Sequence, residues 1–463
     1  MMSGNKVWNR VAPQRNAPQV CWRPLKGMGR DRTLPDRGPS RTGRALIFPP
    51  SRNVCDGTLD RWAIRPSDRR HISGSQAPIP DARNGVATGM RGFLAFWGGM
   101  KRRIDLGLLY SRYGSYTLIS EACRTGVLTA VAEVNGDPEM DIRFVPVERD
   151  PGGNIDRYAP LCDEILNESG ARHVLGCVTS SSRKEVIPTL ERARATLWYV
   201  VPYEGFEASD HVVYTHACPN QHLLPLLGWT FGQYGKRGYL TGSNYIWGWE
   251  MNRLAREVIT EAGGEVMGER YLPIGSTDIR RMIEEIRAAR PDFILNNLIG
   301  QTQYLFLQAY ADLGREDPHF GPATCPILSC NLTECELPAI GPAAEGLIAA
   351  GPYFRDGTHD AQPGRFGSSH EAAGHAAVWM LARLLNKRPG AETLPVSALL
   401  ANHGSTDTGI DPRTHHTVLP ALIGQVHDGR FKVRKDFGRV AGDPYLTRGR
   451  DHAMVGPKLR VAK

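Results

Sequence analysis

Three consecutive serines follow an apolar run in Gly176-Cys177-Val178-Thr179-Ser180-Ser181-Ser182, and Arg183-Lys184 come directly after them. Hydroxyl side chains where a strand gives way to a helix cap the helix start, and the free backbone N–H groups beside them can hold a carbonyl or carboxylate oxygen. One hydroxyl suffices for a cap, so the surplus points to a ligand. Aromatic and hydroxyl residues gather at two further places, Tyr199-Val200-Val201-Pro202-Tyr203-Glu204-Gly205-Phe206-Glu207 and Thr241-Gly242-Ser243-Asn244-Tyr245-Ile246-Trp247-Gly248-Trp249-Glu250. Facing each other, such segments would close apolar faces and phenolic hydroxyls over a small neutral molecule.

Catalytic and metal motifs fail on spacing. His370 and His375 stand five apart, whereas a zinc-protease helix needs two histidines four apart so that both face one ion. Cys325, Cys330 and Cys335 are evenly spaced, but a zinc knuckle requires paired cysteines two residues apart. Glu204 and Glu207 suggest an acid/base pair without an activated nucleophile, and His415-His416 reads as solvated. Neither a Gly-x-Ser-x-Gly elbow nor a phosphate-binding Gly-x4-Gly-Lys-Ser/Thr loop occurs. The expectation is a binding protein that is not an enzyme and carries no metal or cofactor.

The elements that must position these residues alternate. Short apolar runs at Ile104–Tyr110, Ile142–Glu148, Val174–Val178 and Thr196–Val200 read as strands, with amphipathic stretches Glu121–Asn135, Tyr158–Ser169 and Arg183–Ala193 between them. That pattern predicts a parallel sheet flanked by helices. It repeats from Pro219, with strands at Arg237–Thr241, Asp292–Leu298 and Gly346–Pro352 and helices at Glu250–Ala262, Asp278–Ala289, Thr302–Leu313 and Ser369–Leu385. The fold class expected is α/β, two doubly wound Rossmann-like lobes joined by crossing strands, the first spanning 104–217 and about 346–385, the second 219–345 and about 386–445. Ligands of open α/β sheets bind beyond the carboxyl ends of the strands, where the three segments above lie.

The net charge of +8 is unevenly spread: residues 1–99 hold 17 Lys and Arg against 6 Asp and Glu, and the rest of the chain 39 against 42. Beyond residue 99 there is therefore no charge reason to bind nucleic acid. Residues 1–99 also hold 10 of the 33 prolines and 12 of the 50 glycines, which predicts a basic leader, disordered or translated from a start placed too early. Met100-Lys-Arg-Arg-Ile reads as a natural start running into the first strand. No usable signal peptide and no apolar span long enough for a membrane is found. With nine cysteines, an odd number, the expectation is a soluble cytoplasmic protein with reduced thiols.

Several motifs in order, Arg149-Asp150-Pro151-Gly152-Gly153, Gly176-Cys177, Ser182-Arg183-Lys184, Pro202-Tyr203-Glu204-Gly205-Phe206-Glu207, Pro219-Asn220-Gln221, Gly242-Ser243-Asn244-Tyr245-Ile246 and Gly351-Pro352-Tyr353-Phe354, carry a resemblance. Over about residues 104–445 the chain resembles the amide- and urea-binding branch of the type I periplasmic-binding-protein family, and within it the cytoplasmic amide receptors that regulate amidase operons. The resemblance implies a two-lobed receptor that closes on a small amide and acts through an RNA-binding antiterminator. Its ligand would be gripped at Ser180, Tyr199, Val201, Pro202 and Tyr245, with Val178, Trp247 and Ile299 lining the pocket. Val178 and Trp247 stand where those receptors have Tyr, Val201 where they have Thr, and Val200 where they have Pro. The hydroxyls absent at 178 and 201 remove two hydrogen bonds of about 1 kcal/mol each, so acetamide need not be the preferred ligand. The alternative is the substrate-binding subunit of an ABC transporter for amides, urea or branched-chain amino acids. Association of copies into a homo-oligomer is left open.

Overall fold

Leu106, Leu108 and Leu109 are fully or almost fully buried, the signature of a strand covered on both faces, and they lie in β1 (Arg102–Leu109). The computed structural model describes residues 101–207, 209–357, 364–401 and 408–447. The expected leader, 1–99, lies outside them. Along the first lobe β1 is followed by α1 (Thr117–Gly136), β2 (Ile142–Arg149), α2 (Tyr158–Glu168), β3 (His173–Gly176), α3 (Ser180–Ala193), β4 (Thr196–Tyr199) and β5 (Val212–Tyr214). The strands form one parallel sheet in the order β2-β1-β3-β4-β5. Parallel neighbours need a crossover between them, and in all but the last pair a helix supplies it.

The second lobe comprises α4 (Leu223–Gln233), β6 (Arg237–Ser243), α5 (Ile246–Glu261), β7 (Glu265–Leu272), α6 (Arg280–Ala289), β8 (Phe293–Asn297), α7 (Gly300–Glu316), β9 (Ile327–Ser329), β10 (Ile348–Gly351), β11 (Leu419–His427) and β12 (Arg430–Val440). Its sheet runs β12-β11-β10-β9-β8-β6-β7, parallel from β7 to β10 and antiparallel at β11 and β12. Between β10 and β11 the chain returns to the first lobe as α8 (Ser369–Leu385), which packs along α1. A Cβ on Gly126 would lie 2.0 Å from the Glu371 carbonyl oxygen, and one on Gly374 2.5 Å from that of Cys123. Only glycine permits helix backbones to approach so closely.

The lobe boundary differs from the expected one in two places. Residues 348–351 are an interior strand of the second sheet, paired with β9 and β11, because an Ile-Ala-Ala run buried on both faces requires a place inside a sheet. Residues Ala391, Val396, Leu399 and Leu400, expected in the second lobe, pack into the first lobe's core. His415 and His416 are also not solvated: they are 4% and 1% exposed. His416 bridges to Tyr214 at the edge of the first sheet and stacks on its ring, with centroids 4.3 Å apart. Burial pushes its imidazole down to about 4, so it packs as a neutral ring.

Candidate ligand-binding site between the lobes

Six strands lead into one cavity. Beyond β1 come Tyr116 and Ile119; beyond β3, Val178, Thr179 and Ser180; beyond β4, Val201 and Pro202, with Tyr199 as its last residue. From the second lobe, Tyr245 and Trp247 follow β6, Ile299 follows β8 and Asn331 follows β9, while His370 enters from the first turn of α8. The cavity offers about 30 Å³ to the centre of a water molecule, room for one or two waters. All eight residues expected from the sequence line it. Tyr116, Ile119 and Asn331 also line it and were not named from the sequence, while Thr179 and His370 were named there without being placed in the pocket.

Local rules place the central residues. Thr179 is the N-cap of α3: its Oγ1 accepts from Ser182 N at 3.1 Å, and Ser182 Oγ accepts from Thr179 N at 3.2 Å. This reciprocal cap starts the helix three residues earlier than the sequence suggested. Ser180 and Ser181 thus sit in the first helical turn, where backbone N–H groups have no acceptor within the helix. Tyr245 occupies the equivalent capping position of α5 in extended conformation, opposite Tyr199. The Trp247 ring is 4% exposed, and its Nε1 finds no partner among the described residues.

The hydroxyl of Ser180 is already engaged. Its Oγ donates to Glu204 Oε2 at 2.8 Å. The other carboxylate oxygen of Glu204 accepts from Arg183 Nη2 at 2.6 Å, and Arg183 Nε donates to Glu207 Oε1 at 2.8 Å. Lys184 pairs with the other oxygen of Glu207, and Tyr214 donates to Glu207 Oε1 at 2.9 Å. The Arg183 side chain is wholly buried, 4.7 Å from the ring centre of Tyr199 and 4.8 Å from that of Tyr203. Burial pushes the Glu207 carboxyl up, but Arg183 and Lys184 outweigh it and hold it at about 2. Two cations thus face two carboxylates behind the cavity. Glu204 and Glu207 are salt-bridge partners, not an acid/base pair.

Among the described residues the cavity wall itself carries no charged side chain. Burial lowers His370 to about 4 and raises Tyr199 and Tyr245 well above the usual phenol range, so all three stay neutral near pH 7. His375, expected beside His370 only in sequence, turns away: its Nε2 lies 2.7 Å from Glu133 Oε2. Cys325 and Cys330 are buried in the second lobe. A larger groove of about 290 Å³ lies between α7 and the segments 320–327 and 342–347. It opens at the amino ends of β9 and β10, away from the strand ends where ligands of such sheets bind.

Two α/β lobes with a small cavity between them at their strand ends are the architecture of a ligand-binding fold. The chain belongs to the periplasmic binding protein family: the family model described as periplasmic binding protein domain matches residues 104–451, and the fold is of type I. This is a family of solute-binding proteins, generally non-enzymatic. The chain is 23% identical over 260 residues to Leu/Ile/Val-binding protein homolog 6 of Brucella abortus, covering 54% of this chain and 64% of that protein. The chain thus spans less than two thirds of the curated relatives it matches. A solute-binding protein of an ABC transporter from R. palustris, solved with 4-hydroxybenzoate, superposes with a TM-score of 0.61 at 19% identity over 74% of this chain and 99% of that one. The branched-chain amino acid transporter substrate-binding protein LivJ of Streptococcus pneumoniae, solved with isoleucine, gives 0.59 at 15% identity over 73% and 100%. At such identities the likeness establishes the fold.

Proposed function

We propose that this protein is the solute-binding component of a transport system and that its solute is a small neutral amide or urea-like molecule. The observation that carries the ligand class is the uncharged cavity wall. A zwitterionic amino acid would bring an ammonium to a wall without a carboxylate and a carboxylate to a wall without a cation, each desolvated at considerable cost. A neutral amide brings one acceptor and two donors. Its carbonyl suits the free N–H groups at the start of α3 and the unpartnered Trp247 Nε1; its N–H groups suit the lone pairs of Ser180. Tyr199, Val201, Pro202, Tyr245 and Ile299 then surround the alkyl part, and Val178 leaves space where a phenol would otherwise stand.

Transport is supported by the ABC-transporter receptors that share the fold. The regulatory role with an antiterminator rests on the motif resemblance alone. A thermal-shift panel of acetamide, longer aliphatic amides, urea, formamide, leucine, glutamate and 4-hydroxybenzoate tests the ligand class. Binding to the folded form adds RT ln(1+[L]/Kd), about 2.7 kcal/mol at one hundred times Kd. Stabilisation by amides or urea is expected; stabilisation by leucine or 4-hydroxybenzoate alone would overturn the amide reading. Cell fractionation tests the partner: a capture subunit is recovered outside the cytoplasm, a regulator within it.

A further inference from the structure

We infer that Glu204, clamped by Arg183, fixes the Ser180 hydroxyl as a hydrogen-bond acceptor toward the cavity, so that the site selects amides over carboxylates of the same shape. This rests on the interlobe cavity being the ligand site. A serine hydroxyl has one proton and two lone pairs, whereas a carboxylate only accepts. With Ser180 Oγ 2.8 Å from Glu204 Oε2, the proton must lie between them and only lone pairs remain for the cavity. Ser180 and Glu204 are both 2% exposed, so bulk solvent does not compete for the bond.

Glu204 cannot turn away. Its second oxygen is held by Arg183 Nη2, and Arg183 is itself fixed by Glu207 and by the flanking rings of Tyr199 and Tyr203. Glu204 is therefore a positioning residue that determines specificity without lining the cavity. A ligand –NH₂ donates to Ser180 Oγ. A carboxylate of identical outline presents another lone pair there, with the Glu204 charge behind it. Leaving such a pair unmade in a buried site lowers affinity by roughly 5- to 150-fold.

Glu204→Gln makes the idea testable because Arg183 offers only donors. The new side-chain carbonyl must face Arg183 and its –NH₂ must face Ser180, which makes Ser180 an acceptor behind and frees its proton toward the cavity. Titration of propionamide against propionate, and of benzamide against benzoate, reads the ratio of affinities. Wild type should favour the amide, Glu204→Gln should reduce or reverse the ratio, and Ser180→Ala should bring it near unity. In the Ser180→Ala background, Glu204→Gln should leave the ratio unmoved. An equal shift there would mean that charge alone acts and would overturn the inference, as would a wild-type preference for the acid. Should Glu204→Gln not fold, the ratio in Ser180→Ala decides, since a retained preference excludes Ser180. Failure of every compound to bind would instead remove the proposed function; the Ser180–Glu204 bond is then tested by the double-mutant cycle of thermal midpoints, where strict additivity rejects it.

Discussion

The guanidinium of Arg253, on α5 of the second lobe, lies over the ring of Phe206, in the loop after β4 of the first, 5.0 Å from its centre. Phe206 is 42% exposed and has a φ of 61°, so this contact between lobes is made from a residue in the left-handed region. The ion pairs of Arg253 with Glu250 and Glu257 stay within α5 and are exposed, so they add little. Arg253→Ala should remove about 0.5–1 kcal/mol from the closed arrangement and weaken ligand binding about two- to fivefold by calorimetry. Unchanged affinity would show that the contact does not hold the lobes together.

Trp247→Phe keeps an aromatic wall and removes the buried Nε1 donor that has no partner among the described residues. Loss of its bond to the ligand should reduce affinity by about 2- to 12-fold. The ligand-free thermal midpoint should move little, because removing an unsatisfied donor offsets the lost ring contacts. A lower midpoint with unaltered affinity would give Trp247 a packing role only.

Val201 is 3% exposed in the cavity wall. In Val201→Thr the added hydroxyl would be buried in the cavity wall, where the proposed ligand would offer it a hydrogen bond. The ratio of acetamide to butyramide affinity should therefore rise. A ratio that stays constant would place the ligand away from residue 201.

Glu336 is 1% exposed, and burial pushes its carboxyl up to about 7 against bonds from Tyr304 OH and Gln303 Nε2. A carboxyl raised in the folded state contributes fully below the unfolded value near 4.5 and loses that contribution as pH rises toward 7, a change on the order of 3 kcal/mol. Glu207, lowered to about 2, acts oppositely and loses its contribution as pH falls from about 4.5 toward 2. His370 and His416, lowered to about 4, gain stability as pH rises toward about 6.5 and oppose this loss, so the measurement is the difference between proteins: wild type should lose thermal midpoint relative to Glu336→Gln as pH rises from 5 to 7. A difference that stays constant over that range would contradict the Glu336 assignment.

Lys101 Nζ donates to the carbonyl oxygens of Asn135 at 2.8 Å and Asp137 at 2.6 Å, closing the end of α1. A chain beginning at Met100 keeps this cap and should melt and bind ligand like the full chain. Starting at Arg103 removes both Lys101 and Arg102 and should lower the midpoint. A large loss on removing residues 1–99 alone would give the leader a structural part.

Legibility followed the physics of each element. The interior strands of both sheets are apolar runs, and ligands of such sheets bind beyond their carboxyl ends, which is why the sequence alone groups Ser180, Tyr199, Tyr245 and Ile299 around one cavity. Edge strand β7 is half-buried along most of its length, with Glu269 and Arg270 paired to Arg256 and Glu285, so charges conceal its period. β5 and β9 have three residues each, too few for any pattern. Asp428 and Gly429, at φ values of 51° and 70°, form the turn between β11 and β12, and this Asp-Gly pair is a hairpin sign the sequence reading passed over. Glu204 and Arg183 were visible as a motif, but their joint grip on Ser180 depends on two loops meeting in space. His370 stayed hidden because its place in the wall comes from α8 crossing back to the first lobe.

The burial of the cavity wall also has a consequence for rates. Ser180, Tyr199, Val201, Trp247 and Ile299 are each no more than 4% exposed, so a solute that comes to lie among them would enter through a more open form that closes afterwards. Observed association rates should then rise with solute concentration at first and level off at the frequency of opening, and the closed complex should release its cargo only as often as the lobes part. The receptor would work as a timer as well as a trap, its residence time set by the hinge more than by any single contact with the ligand.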